Sequence, residues 1–270
     1  MRQPAVAGRF YSSKEKVLRK EIEDCFTHAI GPGKVPELAQ GRGSIVGAVV
    51  PHAGYMYSGP VAAHVYGAIA EEGFPQTFVI IGPNHHGLGS GVAMTSEDFS
   101  TPLGTCEVDR ELVKKLKGWV DEDPLAHLHE HSIEVQMPFL RYFSEKARFL
   151  PIAMAFQDYE TSRELGTRLR KACEGKDVIV LASSDFSHYV PPDFAKKQDR
   201  SVIDKILALD PAGVESVVMA KDVSMCGYGP VMAMLEATAG KSAQLLKYAT
   251  SGDVHPMAKV VGYAGIVIRG

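Results

Sequence analysis

Residues 177–188 read DVIVLASSDFSH, a stretch in which an apolar run ends in a polar turn. The run is rich in β-branched residues and has no polar face, which is typical of a strand buried on both sides. The turn carries a carboxylate on Asp185 and an imidazole on His188. In α/β proteins the carboxyl ends of parallel strands border the ligand-binding crevice, so this stretch predicts a functional site where a buried strand ends.

Two further apolar runs also end in histidine-bearing turns. Ser44–Val50 leads into Pro51-His52-Ala53-Gly54-Tyr55, and Thr77–Ile81 leads into Gly82-Pro83-Asn84-His85-His86. Three separate segments are therefore expected to bring imidazoles and one carboxylate to the same edge of the sheet. A single histidine in such a turn is more often a capping or surface residue, so the prediction depends on the convergence of all three segments. Neighbouring side chains diverge, and at most one of His85 and His86 is expected to face the crevice.

Strand-like and helix-like segments alternate along the whole chain. Strands are predicted at 44–50, 77–81, 148–153, 177–182 and 259–268, and helices at 12–28, 61–72, 109–119, 132–143, 159–173, 197–209 and 229–238. This alternation predicts an α/β fold with a mostly parallel central sheet flanked by helices. No linker-like stretch divides the chain, so residues 1–270 are interpreted as a single domain.

The composition is that of an ordinary globular protein. The 270 residues are 45% hydrophobic and 23% charged, with a formal net charge of -3, so no broad surface for nucleic acid or anionic membranes is expected. No apolar run approaches the roughly 18 residues of a spanning helix. The N-terminal residues lack the apolar segment of a signal peptide, and a cytoplasmic location is expected. Four cysteines without a CxxC motif argue against a disulfide framework and a zinc ribbon.

One of the four cysteines is singled out by its position. Cys226 lies in Ser224-Met225-Cys226-Gly227-Tyr228-Gly229-Pro230, directly before an apolar segment with a helical pattern. A thiol at a helix N-terminus has a lowered pKa, and the thiolate binds soft metals or acts as a nucleophile. Cys226 is therefore expected to be the reactive thiol. It is also expected to face the strands that carry His52 and His85, which we expect to lie side by side.

The charged segments around His131 and His188 leave two interpretations open. Glu130-His131-Ser132-Ile133-Glu134 places either a base or a ligand in the crevice, or else acidic and hydroxyl caps at a helix N-terminus. Asp185 precedes His188 by three residues and is expected to orient that imidazole as a general base. The alternative is a capping aspartate beside a histidine that faces solvent.

Seven motifs, in order along nearly the whole chain, resemble the Memo family, which in prokaryotes is also called AmmeMemoRadiSam system protein B. They are Gln3–Tyr11, Pro51–Tyr55, Gly82–His86, Thr101–Gly104, Glu130–Glu134, Ser183–His188 and Cys226-Gly227. The resemblance implies the fold of class III extradiol ring-cleaving dioxygenases, of the protocatechuate 4,5-dioxygenase type. It also implies His52, His85 and Cys226 as metal ligands. Asp185 and His188 would line the same pocket, with His131 beside them.

The implied ligand set departs from that of a ring-cleaving dioxygenase. Such enzymes hold Fe(II) with two histidines and a carboxylate, whereas here the third ligand is a cysteine. A thiolate favours Fe(II) or Cu(I), is also compatible with Zn(II), and argues against simple catechol cleavage.

Two classes of function follow, and the sequence leaves open whether the protein is an enzyme. The first is a metal-dependent redox enzyme in which His188 is the general acid/base and His131 binds substrate or oxygen. The second is a non-catalytic adaptor that binds a small molecule or a peptide in a vestigial dioxygenase pocket. A third hypothesis is implied by the system name, namely a partner role beside radical SAM and AMMECR1-like proteins.

Overall fold

The computed structural model describes residues 1–270. Its strands are β1 Ile45–Val50, β2 Thr77–Pro83, β3 Val92–Met94, β4 Phe99–Thr101, β5 Gly104–Cys106, β6 Asp121–Glu122, β7 Arg148–Met154, β8 Val178–Ser183, β9 His188–Val190, β10 Ser242–Thr250 and β11 Val260–Arg269. Its α-helices are α1 Glu15–Thr27, α2 Tyr55–Glu72, α3 Arg110–Leu116, α4 Met137–Phe143, α5 Tyr159–Cys173, α6 Pro192–Leu207, α7 Pro211–Lys221, α8 Tyr228–Thr238 and α9 Ser251–Val254. None of the helices is long and apolar enough to cross a membrane.

One sheet of nine strands organises the molecule. Its order is β10-β11-β1-β8-β2-β7-β3-β6, and β9 pairs with β11. The four central strands β1, β8, β2 and β7 are parallel to one another, whereas β11 pairs antiparallel with both β1 and β10. The predicted α/β class with a mostly parallel, centrally buried sheet is therefore confirmed, and it agrees with the dioxygenase-like fold that the resemblance implies.

Helices cover both faces of this sheet, as side chains close to two glycines demonstrate. A Cβ on Gly47 of β1 would meet the Met234 side chain of α8, whereas a Cβ on Gly265 of β11 would meet Val65 of α2. Gly47 pairs with Ile268, so these two residues share a face of the sheet. Gly265 is three residues from Ile268 on the same strand and therefore lies on the opposite face. Helices α8 and α2 therefore lie on opposite faces, and the central strands are buried between them. This explains why β8 carries no polar alternation.

Several predicted boundaries differ from the structure, and helix α6, for example, begins at Pro192 rather than at residue 197. Helix α2 begins at Tyr55 rather than near residue 61, and it continues through Pro60, its sixth residue, which has no backbone N–H to donate within the helix. The segment predicted as a helix from Ser132 starts as a short 3-10 helix at Glu134–Gln136 and becomes α-helical only at Met137. Strand β10 was not predicted, because an edge strand with one neighbour needs no continuous apolar run.

Candidate metal centre

The carboxyl ends of three central strands deliver the predicted residues to one place. His52 follows the end of β1 by two residues, His85 follows the end of β2 by two, and Ser183 is the last residue of β8. The expectation that the strands carrying His52 and His85 lie side by side is wrong, because β8 lies between them. Two strand spacings separate β1 from β2 by roughly 9.5 Å. The two turns bend over the end of β8, and the imidazole centroids meet at 5.3 Å.

His52, His85 and Cys226 form a compact group of three donor atoms. One ligand atom from each lies within 4.8 Å of the others, and His52 Nε2 is 3.3 Å from Cys226 Sγ. A tetrahedral metal with bonds of about 2.05 Å to nitrogen and 2.3 Å to sulfur would set these two atoms about 3.5 Å apart. The same geometry sets the centroids of two bound imidazoles about 5.2 Å apart, close to the distance between the His52 and His85 rings. The donor set therefore fits a single transition-metal ion.

Hydrogen bonds assign the tautomer of His52. Its Nδ1 lies 2.9 Å from the Ser183 hydroxyl, which donates to the Ser132 carbonyl and accepts from the Gln136 side-chain amide. Because the only hydroxyl proton of Ser183 is used on Ser132, Nδ1 of His52 must be the donor to Ser183. The lone pair of His52 is therefore on Nε2, the atom that faces Cys226. Burial lowers the pKa of His52 well below its ordinary value, which keeps this nitrogen free of a proton.

A buried carboxylate holds His85 in the corresponding way. Glu130 Oε1 lies 2.9 Å from His85 Nδ1, and Glu130 Oε2 accepts the His85 backbone N–H at 2.6 Å. Burial alone would raise the pKa of Glu130, but its hydrogen bond with His85 and the nearby imidazoles hold that pKa far below its ordinary value. An ionised carboxylate only accepts, so Nδ1 of His85 carries the proton and Nε2 is free. Carboxylate–histidine pairs of this kind orient metal-binding imidazoles.

Glu130 combines the two roles that the sequence suggested for its segment, a cap and a residue of the crevice. Its Oε1 accepts the backbone N–H groups of His131 and Ser132, so it caps a turn and supports a predicted ligand at once. His131 stacks on His85, with ring centroids 4.6 Å apart, and forms a T-shaped contact with Phe10. Burial lowers the pKa of His131 to about 4, so this imidazole is neutral near pH 7.

Glu134 has a structural role instead. It forms a buried ion pair with Arg2, with Nη1 and Oε2 2.6 Å apart. The same carboxylate accepts the backbone N–H groups of Ala5 and Val6 and the hydroxyl of Tyr11. Glu134 therefore fastens the N-terminal segment beside the metal-binding group.

Cys226 lies immediately before α8, as expected, but its predicted acidity is wrong. Burial, together with the Asp185 carboxylate, raises the pKa of the Cys226 thiol far above its ordinary value. The thiol accepts the Asp185 backbone N–H at 3.3 Å, which is too weak a compensation. Burial also raises the pKa of the Cys173 thiol, but only to about 11. Binding of a metal would displace the thiol proton.

Asp185 and His188 border the group but do not form the predicted pair. Asp185 Oδ1 accepts the backbone N–H of His52 at 2.8 Å, and burial raises the pKa of Asp185 to about 6. His188 Nδ1 instead donates to the Ser224 carbonyl at 2.7 Å, and the His188 backbone N–H donates to the Ser224 hydroxyl. The orienting partner of His188 is therefore a backbone carbonyl, which leaves its Nε2 without a proton.

Ser183, Gln136 and Ser224 are supporting residues that sequence reasoning missed. Ser183 sits in the quoted turn after the apolar run, so its position carried a signal. Nothing in the local sequence marked Gln136 or Ser224, because Gln136 contacts Ser183 and Ser224 contacts His188, and both partners are distant along the chain.

Comparison with known proteins agrees with these motifs. A family model described as Memo-like protein matches residues 2–267. The chain belongs to the Memo family. It is 52% identical to a MEMO1 family protein of Methanopyrus kandleri, with 99% of each chain covered, and 46% identical to one of Methanothermobacter thermautotrophicus, with 98% of this chain and 99% of the relative covered. The predicted family is therefore confirmed.

A solved structure outside these relatives has a similar fold. It is an uncharacterized protein of Escherichia coli K12, with a TM-score of 0.50 and 12% sequence identity over 83% of this chain and 99% of that one. At that identity the likeness concerns the fold alone. The Memo-family architecture is thus shared with a protein that has a very different sequence.

Proposed function

We propose that this Memo-family protein is a metal-dependent redox enzyme that binds one iron or copper ion through His52 Nε2, His85 Nε2 and Cys226 Sγ. The observation that carries the proposal is the orientation of the two imidazoles. Ser183 and Glu130 each accept a hydrogen bond from an Nδ1–H group, which leaves Nε2 of both rings without a proton. His52 Nε2 lies 3.3 Å from the Cys226 thiol, and His85 belongs to the same group of donors within 4.8 Å. Hydrogen bonds that fix the tautomers of two neighbouring histidines are typical of metal ligands, and histidines with a purely structural role do not need them.

The chemistry of the donor set favours a redox metal. Two imidazoles and one thiolate suit Fe(II) and Cu(I). Zn(II) also fits these donors, but it has no redox chemistry and would not support a redox enzyme. Three protein ligands leave a coordination position for a small molecule, and His85 is 30% exposed, which opens the group to the surface. When bound, the ion would supply electron transfer to or from a ligand in that position.

The residues around the group supply proton transfer and positioning in this proposal. His188 takes up or releases a proton at Nε2, because Ser224 fixes its other nitrogen as a donor. His131, neutral and stacked on His85, presents a polar edge to a bound substrate. Asp185 holds the backbone of His52 in place through its N–H.

Metal analysis of protein purified without oxygen tests the proposal. We expect close to one iron or copper per chain and a change in the visible spectrum when air is added. The Cys226→Ser variant is expected to lose metal, because a hydroxyl is a poor ligand for a soft ion. The His188→Ala variant is expected to keep its metal and to lose oxygen-dependent turnover. Equal loss of metal from both variants would show that the ligand set is misassigned.

A second candidate is a binding protein that uses the same edge of the sheet to hold a partner. Exposed apolar side chains near the group favour it: Leu88, Leu125, Leu128 and Phe156 are 36%, 48%, 48% and 65% exposed. The loop that begins at Asn84, the segment before Glu130 and the turn after β7 carry them. Metal-loaded protein that consumes no oxygen with catechol or thiol substrates, yet retains a peptide or protein ligand, would favour this candidate.

A further inference from the structure

His86 and His129 form a second pair of imidazoles outside the group already described. Their ring centroids are 6.2 Å apart, with an interplanar angle of 66°. His86 follows His85 in the turn after β2, and His129 precedes Glu130, the carboxylate that supports His85. Both residues are exposed at the surface next to the buried group.

We propose that His86 and His129 together bind a transition-metal ion at the protein surface and pass it to the buried site. The expected ligand is a borderline or soft cation such as Zn(II), Cu(I) or Cu(II), for which imidazole is a suitable donor. Binding at the surface pair is independent of the proposed function, whereas transfer to His52, His85 and Cys226 rests on it.

The distance between the two rings suits one shared ion. With metal–nitrogen bonds of about 2.05 Å, two imidazoles on one ion have centroids roughly 5.2 Å apart at a tetrahedral angle and roughly 6.4 Å apart when they bind from opposite sides. The separation of 6.2 Å falls inside this range without movement of the backbone. The angle between the planes is no obstacle, because each ring turns about its own metal–nitrogen bond.

Neither side chain is committed to another contact. The hydrogen bonds of this turn run from the backbone N–H groups of His86 and Gly87 to the Asn84 side chain, and the His86 and His129 imidazoles take part in none. No acidic side chain forms an ion pair with either imidazole. Both nitrogens of each ring are therefore open to a ligand. This contrasts with His85, whose Nδ1 is occupied by Glu130.

The position of the pair connects it with the buried group. His86 is adjacent to His85 in the chain, and His131 stacks on His85 with ring centroids 4.6 Å apart. Imidazoles thus extend from the surface, through His85 and His131, to His52. A hydrated ion that exchanges its waters one imidazole at a time has a continuous path inward. Two ligands hold an ion less tightly than three, so the ion is drawn toward the buried site.

Calorimetric titration with Zn(II) tests the surface site directly. Wild-type protein loaded with one equivalent of Zn(II) is expected to bind a second, weaker equivalent. The same weak equivalent should remain in His52→Ala/Cys226→Ser protein, which lacks the buried site. His86→Ala and His129→Ala should each remove it, whereas His255→Ala, which removes an exposed histidine elsewhere, should not. Second-equivalent binding that persists in both His86→Ala and His129→Ala would overturn the proposal, as would its absence from the wild type.

Loading kinetics test the transfer step. Stopped-flow mixing of metal-free protein with Zn(II) and a chromophoric chelator is expected to show loading of the buried site several-fold slower in His86→Ala and His129→Ala, with the final occupancy of the buried site unchanged. Unchanged loading rates would overturn the transfer step. If the wild type binds only the weak, His86-dependent equivalent, the surface site stands and the proposed function fails, so the two failures are distinguishable.

Discussion

Glu130 and Glu134 are two carboxylates of one short segment, and both are almost completely buried. Glu130 is surrounded by imidazoles and backbone N–H groups of the predicted metal centre. Glu134 is surrounded by a guanidinium, a phenol and the backbone of the N-terminal segment. The same residue type thus serves a site in one region and the fold in the other. The groups that surround each carboxylate, rather than the residue type, determine which of these roles it has.

The largest effect is expected from the fold-holding carboxylate. Glu134→Gln leaves the Arg2 guanidinium buried without its charge partner, which costs about 3–5 kcal/mol of unfolding free energy. Urea unfolding followed by circular dichroism measures this loss. The double variant Arg2→Met/Glu134→Gln is the control and should recover part of it. A loss below 1 kcal/mol would mean that the ion pair does not hold the N-terminal segment.

The next effect concerns pH in the region of Arg2. The backbone carbonyl of His127 accepts from Arg2, and burial lowers the pKa of the His127 imidazole to about 4. Between pH 6.5 and 4 the unfolded chain binds this proton and the folded chain does not, so stability falls as the pH falls through that window. The full contribution is about 3 kcal/mol, at roughly 1.4 kcal/mol per pK unit.

Unfolding free energies at pH 7 and pH 4.5 check this expectation. In His127→Gln the unfolding free energy should decline less steeply as the pH falls. Part of the decline should remain, because the lowered pKa of His131 has the same effect on stability. An identical decline in His127→Gln and wild type would place the acid sensitivity in the metal-centre region instead.

A smaller effect, and one of another kind, is expected from the site-supporting carboxylate. Glu130→Gln removes the charge that holds the Nδ1 proton of His85, and we expect metal affinity to fall about 10–100-fold. Competition with a chelator measures the affinity, and urea unfolding of the metal-free variant measures stability. If Glu130→Gln destabilises the metal-free fold as strongly as Glu134→Gln does, the division of roles between the two carboxylates is wrong.

The smallest effect is expected from a single contact of the fold-holding region. Tyr11→Phe removes one of the donors to Glu134, at a cost of about 1.5 kcal/mol. Metal affinity should stay within a factor of two, because Glu134 keeps Arg2 and its two backbone donors. A change in metal affinity without a change in stability would connect the N-terminal segment to the site more directly than the contacts indicate.

Local sequence predicted the strand ends well because burial on both faces imposes continuous apolar runs. The apolar runs of β1, β2 and β8 could be recognised in the sequence, and so could the polar turn that follows each run. The position of β8 between β1 and β2 was not visible, because strand order depends on pairings between distant segments. The orienting partner of His188 was missed for the same reason. Asp185 is near in sequence, but Ser224 is near in space.

The amino-acid sequence by itself determined the family and the α/β class. It also predicted that His52 and His85 meet at one edge, because parallel strands end at the same side of a sheet, whereas the place of Cys226 beside them came from the family resemblance and its position before a helix. Only the tertiary structure decided which nitrogen of each imidazole is free and which carboxylate serves the site. It also decided the pKa of Cys226, where burial outweighs the effect of the helix N-terminus. Tautomers and pKa values depend on desolvation and on partners that the folded chain brings together from distant positions.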